Sequence, residues 1–102
     1  MNIQERIQKD VSDNRVMLFM KGTPDAPMCG FSKHVTDILK HYQAEFVAVN
    51  VLEDAELRQG IKDFSDWPTI PQLYIGGEFV GGCDITVELM QSGELETMLK
   101  GE

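Results

Sequence analysis

The sequence predicts an α/β fold, a four-stranded mixed β-sheet flanked by helices on both faces. Apolar residues at three- and four-residue spacing mark helices that alternate with two short, strongly apolar runs. A Gly-Gly pair then joins two further strand-like runs, and helical spacing returns at the end of the chain. A βαβ unit followed by a ββα unit is an order that clothes both faces of one sheet. The 102 residues allow one domain, taken as 1–102.

Ile3, Ile7 and Val11 recur at every fourth position and predict a short amphipathic helix ending near Ser12-Asp13-Asn14. Val16-Met17-Leu18-Phe19-Met20 is apolar throughout, as in a fully buried strand. Lys21 to Pro27 holds two prolines and a glycine and predicts a loop. Val35, Ile38, Leu39 and Tyr42 predict a helix that begins close to Gly30 or Phe31, directly after Cys29. Phe46 to Val51 reads as a second strand, and Leu57, Ile61 and Phe64 as a third helix. The first turn of that helix is expected to carry Glu53, Asp54 and Glu56, where the helix dipole favours acids. Leu73 to Ile75 and Glu78 to Val80 form a hairpin about Gly76-Gly77, and Gly81-Gly82 ends its second strand. Asp84 is the expected cap of a helix through Val87 and Met90. Ser92-Gly93 separates it from a last short helix with Leu95, Met98 and Leu99.

Nine Lys and Arg against 17 Asp and Glu give a net charge of -8, which argues against a nucleic acid or an anionic membrane as partner. An anionic ligand must therefore be held by a few local cations. No apolar run approaches the ~20 residues of a membrane span. The segment from Met1 to Asp10 has neither the basic-then-apolar order of an export signal nor the acid-poor composition of a transit peptide. The expected setting is a reducing, intracellular compartment: cytoplasmic, or the mitochondrial matrix as the mature form. Two cysteines are too few for a disulfide framework.

Cys29 stands at the predicted start of a helix, where unpaired N–H groups and a positive dipole end stabilise a thiolate. Such a thiol serves as a nucleophile or a metal ligand. A buried, inert cysteine is the bland alternative, but Pro27 before it and Gly30 after it mark an exposed turn. Ser32 occupies the place where a dithiol redox site has its second cysteine, and a hydroxyl cannot resolve a mixed disulfide. Cys83 is the other thiol, either a resolving partner or a small packed residue beside Gly82. His34, five residues from Cys29, lies on a different helical face. His34 and His41 share a face but are roughly 10 Å apart along the axis, too far to chelate one zinc. The paired glycines lack dinucleotide or P-loop spacing, and Met17, Met20, Met90 and Met98 fall within the apolar pattern of the core.

Four motifs in order carry a specific resemblance: Met20-Lys21-Gly22-Thr23-Pro24, Cys29-Gly30-Phe31-Ser32, Trp67-Pro68-Thr69-Ile70-Pro71-Gln72 and Gly81-Gly82-Cys83-Asp84. From about Ile3 to Lys100 the chain resembles the monothiol glutaredoxins of the CGFS type, without the extra thioredoxin-like domain of their longer members. The resemblance implies the thioredoxin fold and a glutathione site. Within that site, Lys21 and Arg58 would pair with the glycine carboxylate. The Ile70 backbone, before a cis Pro71, would bond the cysteinyl part. Cys83 and Asp84 would hold the γ-glutamyl end. Many members carry an aromatic residue where Ile70 stands, and a contact through the backbone tolerates that departure.

A [2Fe-2S] cluster takes four ligands, usually thiolates. Two chains contributing Cys29 supply two, and the rest come from both Cys83 residues or from outside thiols. The resemblance implies the latter: a cluster bridging a homodimer through two Cys29 and two glutathione sulfurs, with a monomeric apo form. It further implies cluster delivery to iron-sulfur acceptor apoproteins and a BolA-like partner. A second expectation is a glutathione-dependent oxidoreductase in which Cys29 attacks mixed disulfides and glutathione resolves the intermediate. By the same resemblance, Thr23 to Pro27 is an insertion relative to the dithiol members that disfavours this chemistry.

Overall fold

Asn2 opens the chain's first helix by accepting the Glu5 N–H on its side chain at 2.8 Å. In the computed structural model, which describes residues 1–101, this helix is α1 (Ile3–Asp13). It is followed by β1 (Val16–Met20), α2 (Gly30–His41), β2 (Val47–Asn50) and α3 (Ala55–Ser65). The hairpin β3 (Gln72–Ile75) and β4 (Glu78–Gly81) comes next, then α4 (Cys83–Ser92) and α5 (Glu94–Lys100). The sheet order is β2-β1-β3-β4, with β1 parallel to β2 and antiparallel to β3, and β3 antiparallel to β4. The predicted mixed sheet with helices on both faces is the architecture found.

β1 lies inside the sheet and is buried along its whole length because each face has its own helical layer. Side chains alternate across a strand. Met17 and Phe19 therefore meet Ile7 and Val11 of α1, Leu57 and Ile61 of α3, and Tyr74 of β3. Val16, Leu18 and Met20 meet Val35, Ile38 and Leu39 of α2 and Leu95 of α5. Gly76 and Gly77 both take positive φ, 62° and 82°, which the two-residue turn between β3 and β4 requires.

Several boundaries differ from the sequence reading, each for a local reason. Phe46 and Val51 fall outside β2. Val51 instead begins a 3-10 turn, Val51–Glu53, because the Asn50 side chain accepts the Leu52 N–H at 3.0 Å and bends the chain. Glu53 is thus outside α3, and Asp54 is its cap rather than a first-turn residue, accepting the Leu57 N–H at 3.0 Å and the Arg6 guanidinium at 3.0 Å. Asp84 does not cap α4. Gly82 does, its carbonyl taking both the N–H of Thr86, at 3.1 Å, and its hydroxyl, at 2.7 Å, so the helix starts at Cys83, two residues earlier than an Asp84 cap would start it. Ser92 belongs to α4, and Gly93 alone makes the break before α5.

One buried polar chain positions the wall of the site. Gln72 is sealed from solvent, and its amide donates to the carbonyls of Trp67 at 3.1 Å and Thr69 at 3.2 Å. Its oxygen accepts the Tyr74 hydroxyl at 3.0 Å. Burial pushes the Tyr74 phenol up to about 12. Segment 67–71 is therefore held from below.

The loop after β1 is more ordered than its prolines and glycine suggest. Met28 N–H donates to the Lys21 carbonyl at 2.9 Å, and Thr23 and Ala26 exchange backbone hydrogen bonds at 3.2 and 3.1 Å, closing a small hairpin with a bridge between Gly22 and Pro27. Gly22 has φ +89°, and a Cβ there would lie 2.5 Å from the Ala26 carbonyl oxygen and 2.6 Å from the Met28 nitrogen. Gly22→Ala is expected to cost about 1–3 kcal/mol. The measurement is a shift of the denaturant midpoint at unchanged slope.

Candidate functional site

Cys29 lies at the end of that hairpin as the residue that caps α2, with extended backbone, φ -156° and ψ 137°. Its thiol makes no side-chain capping bond, is half-buried and is not in a disulfide. The amides that open α2 are thus available to a negative sulfur. The Ser32 backbone N–H is the main influence holding the Cys29 pKa below the ordinary thiol value, aided by the Phe31 N–H, the Lys21 charge and the Ser32 hydroxyl, while partial burial opposes them.

Ser32 has a structural role that its position in the motif does not reveal. It is sealed from solvent, and its hydroxyl accepts the Lys21 N–H at 3.1 Å. The end of β1 is thereby fastened to the first turn of α2. A second brace comes from Asn50, whose side chain accepts the Gly22 N–H at 2.9 Å as well as that of Leu52. The sequence reading missed Asn50. A polar residue closing an apolar strand was the available signal.

A groove of about 470 Å³ opens beside Cys29. All the residues singled out for a ligand, Lys21, Cys29, Arg58, Ile70, Cys83 and Asp84, line it, although they come from five separate parts of the chain. Trp67, Pro68, Thr69 and Pro71 form one wall, and the Ile70-Pro71 bond is cis. Phe31 and Ile85 add apolar surface. Lys62 also lines the groove and was missed, though its i,i+4 spacing from Arg58 on α3 places both on one helical face. Cys83 is half-buried, partly packed against the core and partly facing the groove, so the packed reading holds in part. His34 and His41 are exposed, but His34 Nδ1 lies 3.7 Å from the Cys83 sulfur.

The cations account for the electrostatics. Among the described residues, Arg6, Lys9, Lys33 and Lys100 pair with carboxylates. Arg15 and Lys40 donate to the Met98 and Pro24 carbonyls. The three that remain of the nine, Lys21, Arg58 and Lys62, all line the groove and have no ion-pair partner there. In a chain of net charge -8 this gathers unneutralised positive charge at one place, in the groove that Cys29 and Asp84 also line. Among the described residues no group of three or more His, Cys, Asp or Glu side chains is placed to hold a metal ion, and no helix is long and apolar enough to cross a membrane.

The profile of the glutaredoxin family matches residues 16–80. The chain is similar to the probable monothiol glutaredoxin 2 of Rickettsia conorii, 61% identical over 92% of this chain and 88% of that protein. It is 56% identical to the chloroplastic monothiol glutaredoxin-S14 of Arabidopsis thaliana over 92% of its own length, and spans 54% of that relative. The solution structure of reduced poplar apo GrxS14, 55% identical, superposes with a TM-score of 0.84 over 96% of this chain and 90% of the other.

The two thiols are expected to separate on a pH scale. Iodoacetamide alkylation followed by peptide mass spectrometry should give Cys29 a midpoint below the free-thiol value of about 8.5. Cys83 should lie above it, because burial first, then Asp84 and the Cys29 sulfur, push its pKa up. Since the folded pKa of Cys29 is depressed, its contribution to stability is complete above the unfolded value and is lost as pH falls through the folded one. Cys29→Ala should remove that dependence from the denaturant midpoint.

Proposed function

The chain belongs to the glutaredoxin family, its near relatives being monothiol glutaredoxins, and on that premise we propose that the groove binds glutathione and that Cys29 offers its thiolate to an iron-sulfur cargo. The observation that carries this reading is the gathering of Lys21, Arg58 and Lys62, all without carboxylate partners, around a groove bordered by a stabilised thiolate. Glutathione is an anionic tripeptide thiol. Lys21 and Arg58 suit its glycine carboxylate. The peptide beside Pro71 suits its extended cysteinyl backbone. The Asp84 carboxylate suits its ammonium group, and the first amides of α4, at Cys83 and Asp84, suit its second carboxylate.

The donor set fits a shared cluster rather than one bound by a single chain. Cys29 is the one thiol with a depressed pKa, whereas Cys83 is held protonated. One ligand per chain leaves half of a four-ligand [2Fe-2S] set to thiols from outside. Glutathione in the adjoining groove supplies them in a homodimer, and the monomer is the apo form. Ligands that are themselves dissociable make the cluster transferable to acceptor apoproteins. Exposed Met28 and Phe31 flank Cys29 and give an apolar rim on which a second copy, a BolA-like partner or an acceptor can rest. A reducing intracellular compartment, cytoplasmic or the mitochondrial matrix, suits a carrier that depends on free glutathione.

The depressed pKa also supports a second reading, reduction of mixed disulfides. Cys29 would attack the glutathionyl sulfur of a protein adduct, releasing the protein thiol, and a second glutathione would then release Cys29 as glutathione disulfide. Anaerobic purification with glutathione separates the two. The carrier gives a coloured dimer containing iron and sulfide, lost in Cys29→Ala. A colourless, iron-free monomer that rapidly turns over glutathionylated substrates overturns the carrier in favour of the enzyme.

Glutathione affinity itself is measured by calorimetry on the apo protein. Lys21 is half-buried, so Lys21→Ala should weaken binding by about tenfold, as for a charged hydrogen bond of ~1.5 kcal/mol. Arg58 is exposed and screened, so Arg58→Ala should cost only about two- to fivefold. Both losses should shrink at high salt.

A further inference from the structure

Cys83 and His34 belong to different helices, α4 and α2, yet the Cys83 sulfur lies 3.7 Å from His34 Nδ1. This is hydrogen-bond distance for a sulfur donor, and neither the proposed ligand contacts nor the Cys29 thiolate uses the imidazole. Cys83 borders the groove with Cys29, and His34 sits outside it on the exposed side. A thiol is thus open to a molecule in the groove from one side and within reach of a proton acceptor from the other.

We propose that Cys83 is a second reactive thiol, assisted by His34, that takes up a glutathionyl group from glutathione disulfide and so closes the groove. In the tautomer whose proton is on Nε2, His34 Nδ1 accepts the Cys83 proton. The Cys83 sulfur attacks one sulfur of the disulfide, a bond forms between them, and the disulfide bond breaks. The departing glutathione thiolate takes the proton back from the imidazolium. Cys83 is oxidised and one half of the disulfide is reduced, with no other oxidant.

The need for a base follows from the surroundings of Cys83. Burial, Asp84 on α4 and the Cys29 sulfur all favour its protonated form, so little thiolate exists unaided near neutral pH. On the side of α2, Asp37 is close enough to His34 to feel its charge and is itself paired with Lys33 at 2.7 Å. Lys21 is the cation beside Cys29. The closure rests on the glutathione reading of the groove, since the adduct would fill the place assigned to the free tripeptide. The reactivity of Cys83 does not.

The test uses the full-length reduced protein with Cys29→Ser, so that one thiol remains. With glutathione disulfide, intact mass should rise by one glutathionyl group, mapping to Cys83, and Cys83→Ser should abolish it. His34→Gln should slow the reaction by about tenfold, the change in thiolate that one pK unit brings. At a pH high enough for Cys83 to ionise unaided, the two proteins should react equally fast. Circular dichroism and the unfolding midpoint check that the variant is folded; if it is not, His34→Asn takes its place. Equal rates near neutral pH with and without the imidazole overturn the assisted thiol, as does a Cys83 inert to disulfides. Repeating the series with 2-hydroxyethyl disulfide separates the two readings. A His34 effect retained there, in a protein that does not bind reduced glutathione, sinks the glutathione site and leaves the reactive thiol standing. A protein carrying the adduct on Cys83 that still binds reduced glutathione unchanged overturns the closure.

Discussion

The fastening of β1 to the first turn of α2 is the constraint from which the rest of the site follows. The Ser32 hydroxyl, sealed from solvent, takes the Lys21 N–H, and this contact sets where the chain leaves the sheet and where it re-enters as a helix. Between those points the small hairpin of residues 22–27 delivers Cys29 to the cap position. The amides of Phe31 and Ser32 then act on the sulfur at no further conformational expense, because α2 is already held by Val35, Ile38 and Leu39 against the sheet. A hydroxyl in the place of a second thiol is thus more than an absence of redox chemistry. It is a strut.

The opposite wall depends on a different kind of contact. Gln72 and Tyr74 are polar groups in the core whose hydrogen bonds are all made inside the protein, and they hold the Trp67–Pro71 segment by its carbonyls. Removing one partner leaves the other buried and unsatisfied, a larger loss than the bond itself contributes. The groove is therefore built between two satisfied polar anchors on a hydrophobic base. Its positive charge survives in an acidic protein because Lys21, Arg58 and Lys62 face it while other cations are occupied elsewhere by carboxylates or carbonyls.

Much of this was legible in the chain. Apolar periodicity located α1, α2 and α3, and the unbroken run from Val16 to Met20 announced a strand covered on both faces. The turn at Gly76-Gly77 followed from the need for positive φ at both positions. The errors were at junctions. Glu53 was placed in α3 and Asp84 at a cap because acids favour helix starts in general, whereas Asn50 draws Glu53 into a separate turn, Asp54 caps α3 and Gly82 caps α4, each through particular hydrogen bonds. Such bonds depend on orientation, and residue type alone does not carry orientation.

Cys29, its helical setting and the motifs around Trp67 and Gly82 were evident from the residues themselves, because a cap position and a glycine pair are local properties of the backbone, whereas the cis Ile70-Pro71 bond was implied only by the resemblance. The chain also determined which elements form, since hydrophobic period is read along one dimension. Tertiary structure alone decided that the α3 face carrying Arg58 and Lys62 meets Lys21, that Asn50 braces the loop, and that His34 meets Cys83. Those meetings bring together residues from separate elements, and the distances between them are fixed by how the helices lie on the sheet rather than by any spacing in sequence.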